Sequence, residues 1–202
     1  MKTPIEIFSQ WAKIGKDEGM EKNHYKPVQE MLKLIKVSEK KFSFIDAGCG
    51  NGWVTRQVSK EKNCFKSIGV DGSKLMIKKA KKIDSINEYY VGDLLDWKPY
   101  KKVDYVFSME VLYYFEKPIH VLNNIRKNWL KNNGVFIMGI DFYYENTSCH
   151  NWQEETGVST MNLMKIKVWE DLFNQAGFKK IKKYQFCKSD DWEGTLVIVG
   201  SK

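Results

Sequence analysis

A glycine-rich turn separates an apolar segment from a helix-compatible one near residue 50. The apolar segment carries the acid Asp46 near its end, and glycine follows at alternate positions, Gly48, Gly50 and Gly52. Glycine permits positive φ and allows a ligand to lie against bare main chain. Such a turn between strand and helix is where doubly wound α/β proteins bind adenosine-containing ligands. An ordinary strand-to-helix turn is the alternative for this loop taken alone.

The glycine spacing narrows the choice of ligand. The dinucleotide fingerprint Gly-x-Gly-x-x-Gly is absent because Trp53 stands where its third glycine would be. The pattern Asp-x-Gly-x-Gly-x-Gly instead resembles motif I of the class I S-adenosylmethionine-dependent methyltransferases. The resemblance implies that this loop, including Cys49 and Asn51, lies against the methionine part of that cofactor.

Acids follow the next two predicted strands as well. Asp71 stands about 20 residues past the loop, where a carboxylate can bind both ribose hydroxyls; a helix cap or turn is its alternative role. The family resemblance implies that Gly72 and Met76 lie at the adenosine, with Met76 on the adenine face. It also implies that Asp93 bonds the adenine amino group and that the Leu94 amide contacts the ring; an Asx turn is equally plausible locally.

The fourth strand end reads Ser108-Met109-Glu110-Val-Leu-Tyr-Tyr. This resembles motif IV of the small-molecule branch, the menaquinone/ubiquinone-methylase-like group. The resemblance implies that backbone groups at Ser108 and Met109 face the methionine part, and that Asp46 and Glu110 lie near its sulfonium and ammonium. The Asn/Asp-Pro-Pro-Tyr/Phe box of amide- and adenine-N-methylating relatives is absent here, which argues against those activities.

Strand-like and helix-like segments alternate from residue 42 onward, which predicts a mainly parallel sheet with helices on both faces. The predicted strands are Phe42–Ala47, Phe65–Val70, Glu88–Val91, Val103–Met109, Val135–Phe142, Phe178–Phe186 and Leu196–Gly200. The predicted helices are Ile5–Ile14, Pro27–Val37, Trp53–Lys60, Ser73–Lys82, Pro118–Leu130 and Lys167–Ala176. We expect Asn132-Asn133-Gly134 to end the helix that begins at Pro118.

The last two strands have no helix between them and should therefore form an antiparallel pair. The expected fold is α/β, a seven-stranded, mostly parallel, doubly wound (Rossmann-like) sheet with a C-terminal antiparallel hairpin and N-terminal covering helices. We expect one domain over residues 1–202. It divides into a helical cap (1–41), a cofactor-binding core (42–142), an acceptor-side insertion (143–165), and the last helix and hairpin (166–202).

The cap and the insertion supply the candidates for acceptor chemistry. Ring faces attract cations such as a sulfonium methyl, and the predicted acceptor-pocket aromatics are Trp11, Tyr113, Tyr114, Tyr143 and Trp152. A core or surface role is the alternative for each of them. Among the three histidines, His24 and His150 fall in the two covering segments and are the predicted catalytic bases or orienting groups.

Composition limits the partners. The net charge of +8 is almost all lysine and is spread along the chain, which is typical of a solvated surface and disfavours a specific nucleic-acid partner without excluding one. No apolar run reaches membrane-spanning length and no signal peptide is evident, so we expect a cytoplasmic protein. Four widely spaced cysteines predict neither a metal site nor disulfides.

The pattern therefore favours a methyltransferase with S-adenosylmethionine as cofactor, S-adenosylhomocysteine as product and a small-molecule acceptor. An RNA or protein methyltransferase and a non-catalytic S-adenosylmethionine-binding module are the alternatives, and aminopropyl transfer on the same fold is a more remote one. Neither the acceptor atom nor the oligomeric state follows from the sequence.

Overall fold

The protein contains a seven-stranded sheet in the strand order β3-β2-β1-β4-β5-β7-β6. A computed structural model describes residues 1–36 and 40–202. The strands are β1 (Phe42–Ala47), β2 (Cys64–Asp71), β3 (Glu88–Val91), β4 (Val103–Met109), β5 (Leu130–Ile140), β6 (Lys179–Phe186) and β7 (Thr195–Ser201). Strands β1 to β5 pair in parallel, and β7 is antiparallel to both β5 and β6. The predicted fold class is confirmed.

Helices cover both faces of the sheet and make most of the connections between the parallel strands, although the described segment from β3 to β4 contains none. The helices are α1 (Pro4–Ile14), α2 (Glu18–Lys36), α3 (Trp53–Val58), α4 (Lys74–Ile83), α5 (Pro118–Asn124), α6 (Trp152–Thr156) and α7 (Ile166–Gln175). A π-helical turn at Ile125–Trp129 continues α5. In the described part of the chain, no helix is both long and apolar enough to cross a bilayer.

The largest errors in the predicted boundaries concern the second helix and the fifth strand. The second helix begins at Glu18, and Pro27 lies inside it; Val37, the last residue predicted for that helix, is outside the described residues. Asn132–Gly134 lie within β5, which begins at Leu130 and ends at Ile140. The register of β4 with β5 shifts after the Val103–Leu130 pair. Extra residues are accommodated at this irregularity because Asn133 adopts φ 65°, a conformation that asparagine tolerates.

Alternation along β1 divides the core into two layers. Phe44 packs beneath α2 with residues such as Met31, whereas Ile45 joins the larger cluster on the opposite face. Both side chains are fully buried, as expected where consecutive strand residues point to opposite sides of a covered parallel sheet. The carboxyl ends of the parallel strands therefore meet at one edge between two packed layers.

The start of α1 is fixed by its own sequence. The Thr3 hydroxyl accepts a hydrogen bond from the Glu6 N–H at 3.3 Å, and the Glu6 carboxylate accepts one from the Thr3 N–H at 2.8 Å. This reciprocal capping box satisfies backbone donors at the helix N-terminus. The hydroxyl oxygens of Ser9 and Ser73 lie 2.8 Å apart, so α1 is attached to the N-terminus of α4.

A buried carboxylate anchors the N-terminal helices to the core. Asp17 is fully buried, and its two oxygens accept hydrogen bonds from the Asn51 amide at 2.9 Å and the Lys79 ammonium at 2.8 Å. Asn51 belongs to the glycine-rich loop and Lys79 to α4. One side chain in the α1–α2 connection therefore bonds to two parts of the sheet's carboxyl edge.

We predict that Asp17→Ala lowers the free energy of unfolding by about 3 kcal/mol, because it leaves a partly buried lysine and a buried amide without their acceptor. Urea unfolding measures the loss. The matched control is Glu18→Ala, which removes the other carboxylate of the same lysine. Glu18 is largely exposed, so its loss should cost less than about 1 kcal/mol. Equal losses in the two variants would contradict the anchoring role.

Candidate functional site

A cavity of about 480 Å³ lies at the carboxyl edge of the sheet, beneath α1. It joins residues from the ends of β1, β2, β3 and β4. The predicted cofactor residues that line it are Gly48, Gly50, Asp71, Gly72, Met76, Asp93, Leu94, Met109 and Glu110. Residues more than 60 positions apart in the chain therefore share one site, as the parallel topology requires.

The three loop glycines serve different purposes. Each has positive φ, but a Cβ on Gly48 would lie 2.3 Å from a Val111 methyl, and one on Gly52 would lie 2.5 Å from the Tyr89 ring. A Cβ on Gly50 would meet no atom within 4 Å. Gly48 and Gly52 are thus needed for packing, whereas Gly50 presents bare main chain to open space where a ligand can approach.

The Asp71 carboxylate organises the loop. One oxygen accepts a hydrogen bond from the Gly50 N–H at 2.9 Å and the other from the Ser73 N–H at 2.7 Å. Burial raises the pKa of Asp71, and these two hydrogen bonds oppose the increase. Ser73 in turn caps α4 by accepting from the Met76 N–H at 3.3 Å. The carboxylate is therefore held in place at the cavity wall.

The far end of the cavity is apolar and is closed by the turn after β3. Met76 and Leu94 are almost fully buried there. The Asp93 carboxylate accepts a hydrogen bond from the Leu95 N–H at 2.9 Å. This hydrogen bond forms an Asx turn, which the sequence analysis gave as the alternative role of Asp93. Asp93 also lines the cavity, so the turn and a ligand contact are compatible.

A small side cavity of about 30 Å³ adjoins the glycine loop. Asp46, Cys49, Asn51, Glu110 and His24 contribute to its lining. Burial is the main cause that raises the pKa of Asp46 to about 7, against the hydrogen bond from the Thr55 hydroxyl at 3.1 Å. The Asn51 Oδ1 atom is buried without a donor in the described structure. The Asp46 carboxyl oxygens and the Asn51 Oδ1 can accept hydrogen bonds from a ligand that carries an ammonium group.

In the described part of the chain, two predicted cofactor residues, Gly52 and Ser108, line neither of these two cavities. Gly52 is the N-cap of α3 and lies against the Tyr89 ring. Ser108 is fully buried, and its hydroxyl donates to the Ala47 carbonyl at 2.9 Å. That hydrogen bond joins β1 to β4 beside the glycine loop. The cofactor roles of both residues stay predictions.

The cover of the main cavity includes residues that the sequence analysis did not select. Ile5 and Phe8 of α1 and Met20 of α2 line it, and Phe8 packs edge-on against Tyr114 at 5.2 Å between ring centroids. The amphipathic pattern of α1 is a signal that could have identified its apolar face. It could not have shown that this face covers a cavity rather than the core.

The predicted acceptor aromatics are not all in one place. Tyr114 lines the main cavity, and the Tyr113 hydroxyl donates to the Glu110 carboxylate at 2.7 Å. Trp11 packs against Phe8. Tyr143 is buried and its hydroxyl donates to the Gly194 carbonyl at 2.9 Å, while Trp152 stacks between Phe142 and Trp192. Of the five predicted aromatics, only Tyr114 lines a cavity in the described part of the chain. The linings of both cavities lack Trp11, Tyr113, Tyr143 and Trp152, whose acceptor roles stay predictions.

The histidines differ in position. His24 lines the small cavity, and its Nδ1 donates to the Met20 carbonyl at 2.9 Å. His150 is exposed, with its Nε2 bonded to the Tyr144 carbonyl at 2.8 Å, and it lines neither cavity in the described structure. His120, which was not selected, lines the rim of the main cavity. The geometry therefore brings only His24 of the two predicted bases next to the cofactor residues.

Comparisons with known proteins bear on this site. The model of a family described as a methyltransferase domain matches residues 38–189. A malonyl-[acyl-carrier protein] O-methyltransferase of Halalkalibacterium halodurans is 32% identical over 119 residues, which cover 51% of this chain and 41% of that protein. The chain spans less than two thirds of the curated relatives it matches, with 41% and 57% of their lengths aligned.

Solved structures agree over longer stretches. A Haloferax volcanii methyltransferase in complex with the Trm112 methyltransferase activator aligns with a TM-score of 0.83 and 26% identity, over 100% of this chain and 98% of that one. The N-methyltransferase NodS of Bradyrhizobium japonicum, in complex with S-adenosylhomocysteine, aligns with a TM-score of 0.63 and 20% identity, over 86% and 84% of the two chains.

We predict that Gly50→Ala weakens binding of S-adenosylhomocysteine at least about tenfold, because the new Cβ occupies the open face of the loop and the left-handed φ costs about 1–2 kcal/mol. Isothermal titration calorimetry measures the affinity. Gly157→Ala is the matched control, since Gly157 also has positive φ and no atom within 4 Å of an added Cβ but lies outside the site. Equal affinity in wild type and Gly50→Ala would refute the assignment of this face.

We also predict a pH-dependent penalty from Asp46. The folded protein holds the Asp46 proton up to about pH 7, whereas the unfolded chain loses it near pH 4. The folded state binds more protons between these values, so the free energy of unfolding falls as pH rises through this range. Asp46→Asn lacks this titration. In urea unfolding, its free energy of unfolding relative to that of the wild type should therefore rise by about 2–3 kcal/mol from pH 5 to pH 8. A difference that does not change with pH would contradict the assignment.

Proposed function

Because the chain belongs to the methyltransferase domain family and is an S-adenosylmethionine-dependent methyltransferase domain, we propose that it transfers a methyl group to a small organic acceptor. The observation that carries this proposal is the cavity of about 480 Å³ covered by Ile5 and Phe8 of α1. Its volume falls within the range of about 300–1,000 Å³ typical of small-molecule sites. A nucleic-acid strand or protein surface would have to displace that cover.

The cofactor site fits an adenosine linked to an amino acid. Asp71 would accept hydrogen bonds from the ribose hydroxyls, Met76 and Leu94 would enclose the adenine, and Asp93 would accept from its amino group. The bare main chain at Gly50 and the unpaired Asn51 Oδ1 support a methionine part at the other end. When bound, S-adenosylmethionine supplies an activated methyl group on a positively charged sulfur. The complex of NodS with S-adenosylhomocysteine is consistent with this arrangement.

The chain's own contribution to catalysis is positioning and the exclusion of water. Tyr114 and Phe8 would place aromatic surface beside the reacting groups. His24 would accept a proton from the acceptor, because its Nδ1 donates to a backbone carbonyl, which leaves Nε2 as the basic nitrogen of the neutral ring. His150 remains a predicted base on the insertion. A cytoplasmic location also remains a prediction.

Binding of a protein partner is a second candidate function for this chain. The difference between the two edge strands of the sheet favours it. Lysines occupy four of the eight positions of β6, and charge of this kind protects an edge from adding strands. The opposite edge, β3, contains no lysine and exposes Tyr90 and Val91 by 42% and 46%. The Haloferax volcanii relative was solved with the Trm112 activator. We propose an activator of that type as the partner, bound at β3.

The methyl-transfer proposal is tested by incubating the purified chain with trideuteromethyl-labelled S-adenosylmethionine and a metabolite extract. We expect mass spectrometry to detect labelled small molecules, and Asp71→Asn to weaken cofactor binding by about tenfold or more through the lost ribose contact. The matched control is Asp96→Asn, at an exposed acid on the turn after β3. Label found only in RNA or protein would support those acceptors instead, with steep salt dependence expected for RNA. Binding without any transfer would support a non-catalytic module.

The partner is tested by mixing the chain with purified Haloferax volcanii Trm112 and measuring complex formation by size-exclusion chromatography. We expect a complex that Tyr90→Lys abolishes, because the new charge protects the edge strand. Lys183→Glu on β6 is the matched control and should leave the complex intact. Failure of the wild-type chain to form a complex, or loss of the complex in both variants, would contradict binding at β3.

A further inference from the structure

Three titratable side chains from distant parts of the chain meet beside the methyl-transfer site. His24 comes from α2, Glu110 directly follows β4, and Asp141 directly follows β5. One nitrogen or oxygen of each lies within 4.8 Å of the others. Parallel strands deliver the two carboxylates to the same edge, and α2 places the imidazole against them.

Each of these side chains is held by further hydrogen bonds. The Glu110 carboxylate accepts from the Tyr113 hydroxyl at 2.7 Å and from the Asp141 N–H. The Asp141 Oδ1 accepts from the Thr195 hydroxyl at 2.6 Å, and its Oδ2 lies 3.6 Å from the His24 Nε2. Such supporting contacts fix the positions of the groups before any ligand arrives.

The cluster contains two carboxyl groups and one imidazole. Burial raises the pKa of Glu110, and the negative charge of Asp141 raises it further. Burial also raises the pKa of Asp141, against the hydrogen bond from the Thr195 hydroxyl and the electrostatic effect of the neighbouring His24 side chain. Within the described ranges, no lysine or arginine forms an ion pair with either carboxylate. A ligand that brings one positive charge would balance the site.

Two members of the cluster face the cavities, whereas Asp141 lines neither cavity as the described residues define them. Glu110 lines both the main cavity and the small one, and His24 lines the small one. Glu110 also has φ 59°, a conformation that costs about 1–3 kcal/mol in a non-glycine residue and tends to occur at functional sites. Under the proposed function, Asp46 and Asn51 of the small cavity would accept hydrogen bonds from the ammonium of the cofactor's methionine. Asp141 has no predicted cofactor role. Together with Glu110, which lines both cavities, it offers negative charge for a second cation beside the cofactor.

We propose that the methyl acceptor is a small organic amine, bound as its ammonium cation by Glu110 and Asp141, with His24 Nε2 receiving the proton that it loses. This inference rests on the proposed function. Tyr113 and Tyr114 beside Glu110 add aromatic surface that suits a cation. In the overall reaction a C–N bond forms and a C–S bond breaks, and the bonding pair stays on sulfur. R–NH3+ and the sulfonium give R–NH2CH3+, a neutral thioether and one proton.

The test uses the purified chain, trideuteromethyl-labelled S-adenosylmethionine, and a metabolite extract separated on a cation exchanger. One fraction holds the retained cations, and the other holds neutral and anionic compounds. We expect labelled product from the cationic fraction alone. Labelled product only from the other fraction would overturn the amine inference and leave the proposed function standing. No labelled product from either fraction would overturn both.

A divalent cation held by the same three side chains is the competing outcome. The same assay is therefore repeated with excess chelator and with added Mn²⁺. Turnover that survives the chelator supports an amine site. A requirement for the metal, together with stoichiometric Mn²⁺ binding by the protein that Glu110→Gln abolishes, would overturn it.

Variants separate amine binding from general stability. Glu110→Gln and Asp141→Asn preserve shape and should each weaken binding of the identified amine at least about tenfold. Because Glu110 also lines the cofactor cavity, the specificity of the effect is judged on Asp141→Asn, in which binding of S-adenosylhomocysteine should change little. Glu21→Gln, at an exposed carboxylate one turn before His24 on α2, is the matched control and should leave amine binding unchanged. His24→Gln tests the proton role without removing a buried acid. It should lower kcat at least about tenfold and leave the amine Kd unchanged. Unchanged amine binding in both acid variants would overturn the assignment.

Discussion

The hydrogen bonds of the Asp71 carboxylate are the constraint on which the carboxyl edge of the sheet depends. Asp71 is the last residue of β2, and its two oxygens hold the glycine loop after β1 and the N-terminus of α4. A carboxylate that is already engaged by backbone donors cannot move away when a ligand approaches. The ligand therefore meets a wall whose shape is set by folding. Replacement by a side chain of another shape would disturb the loop and the helix start together, so binding and local stability are coupled at this one residue.

The sequence predicted most of the fold because the relevant signals are local. Strands β1, β3 and β4 were predicted with the observed bounds, since each is an apolar or mixed segment with clear turn residues beside it. The error at α2 has a physical cause. Proline favours the first turn of a helix, but packing of Met31 and its neighbours against the sheet stabilises a helix that continues on both sides of Pro27.

The candidate site was only partly predictable for the same reason. The strand-end acids and glycines follow from spacing, and most of them line the cavities. Asp141 was not selected, because the sequence alone does not show which side chains lie next to an acid at the end of a strand. Its partners Glu110 and His24 are 31 and 117 positions away in the chain. The contact between β4 and β5 and the path of α2 bring them together, and neither can be read from residue types.

The two ends of the sheet have an architectural consequence. Lysines occupy the first part of β6, whereas β3 contains none, so the proposed strand addition would take place at the β3 edge. A partner bound at β3, as proposed, would leave the lysine-rich β6 as the outer edge of this chain, and that edge disfavours the addition of a further strand. This difference between the two edges would favour a complex of fixed stoichiometry over an open-ended polymer.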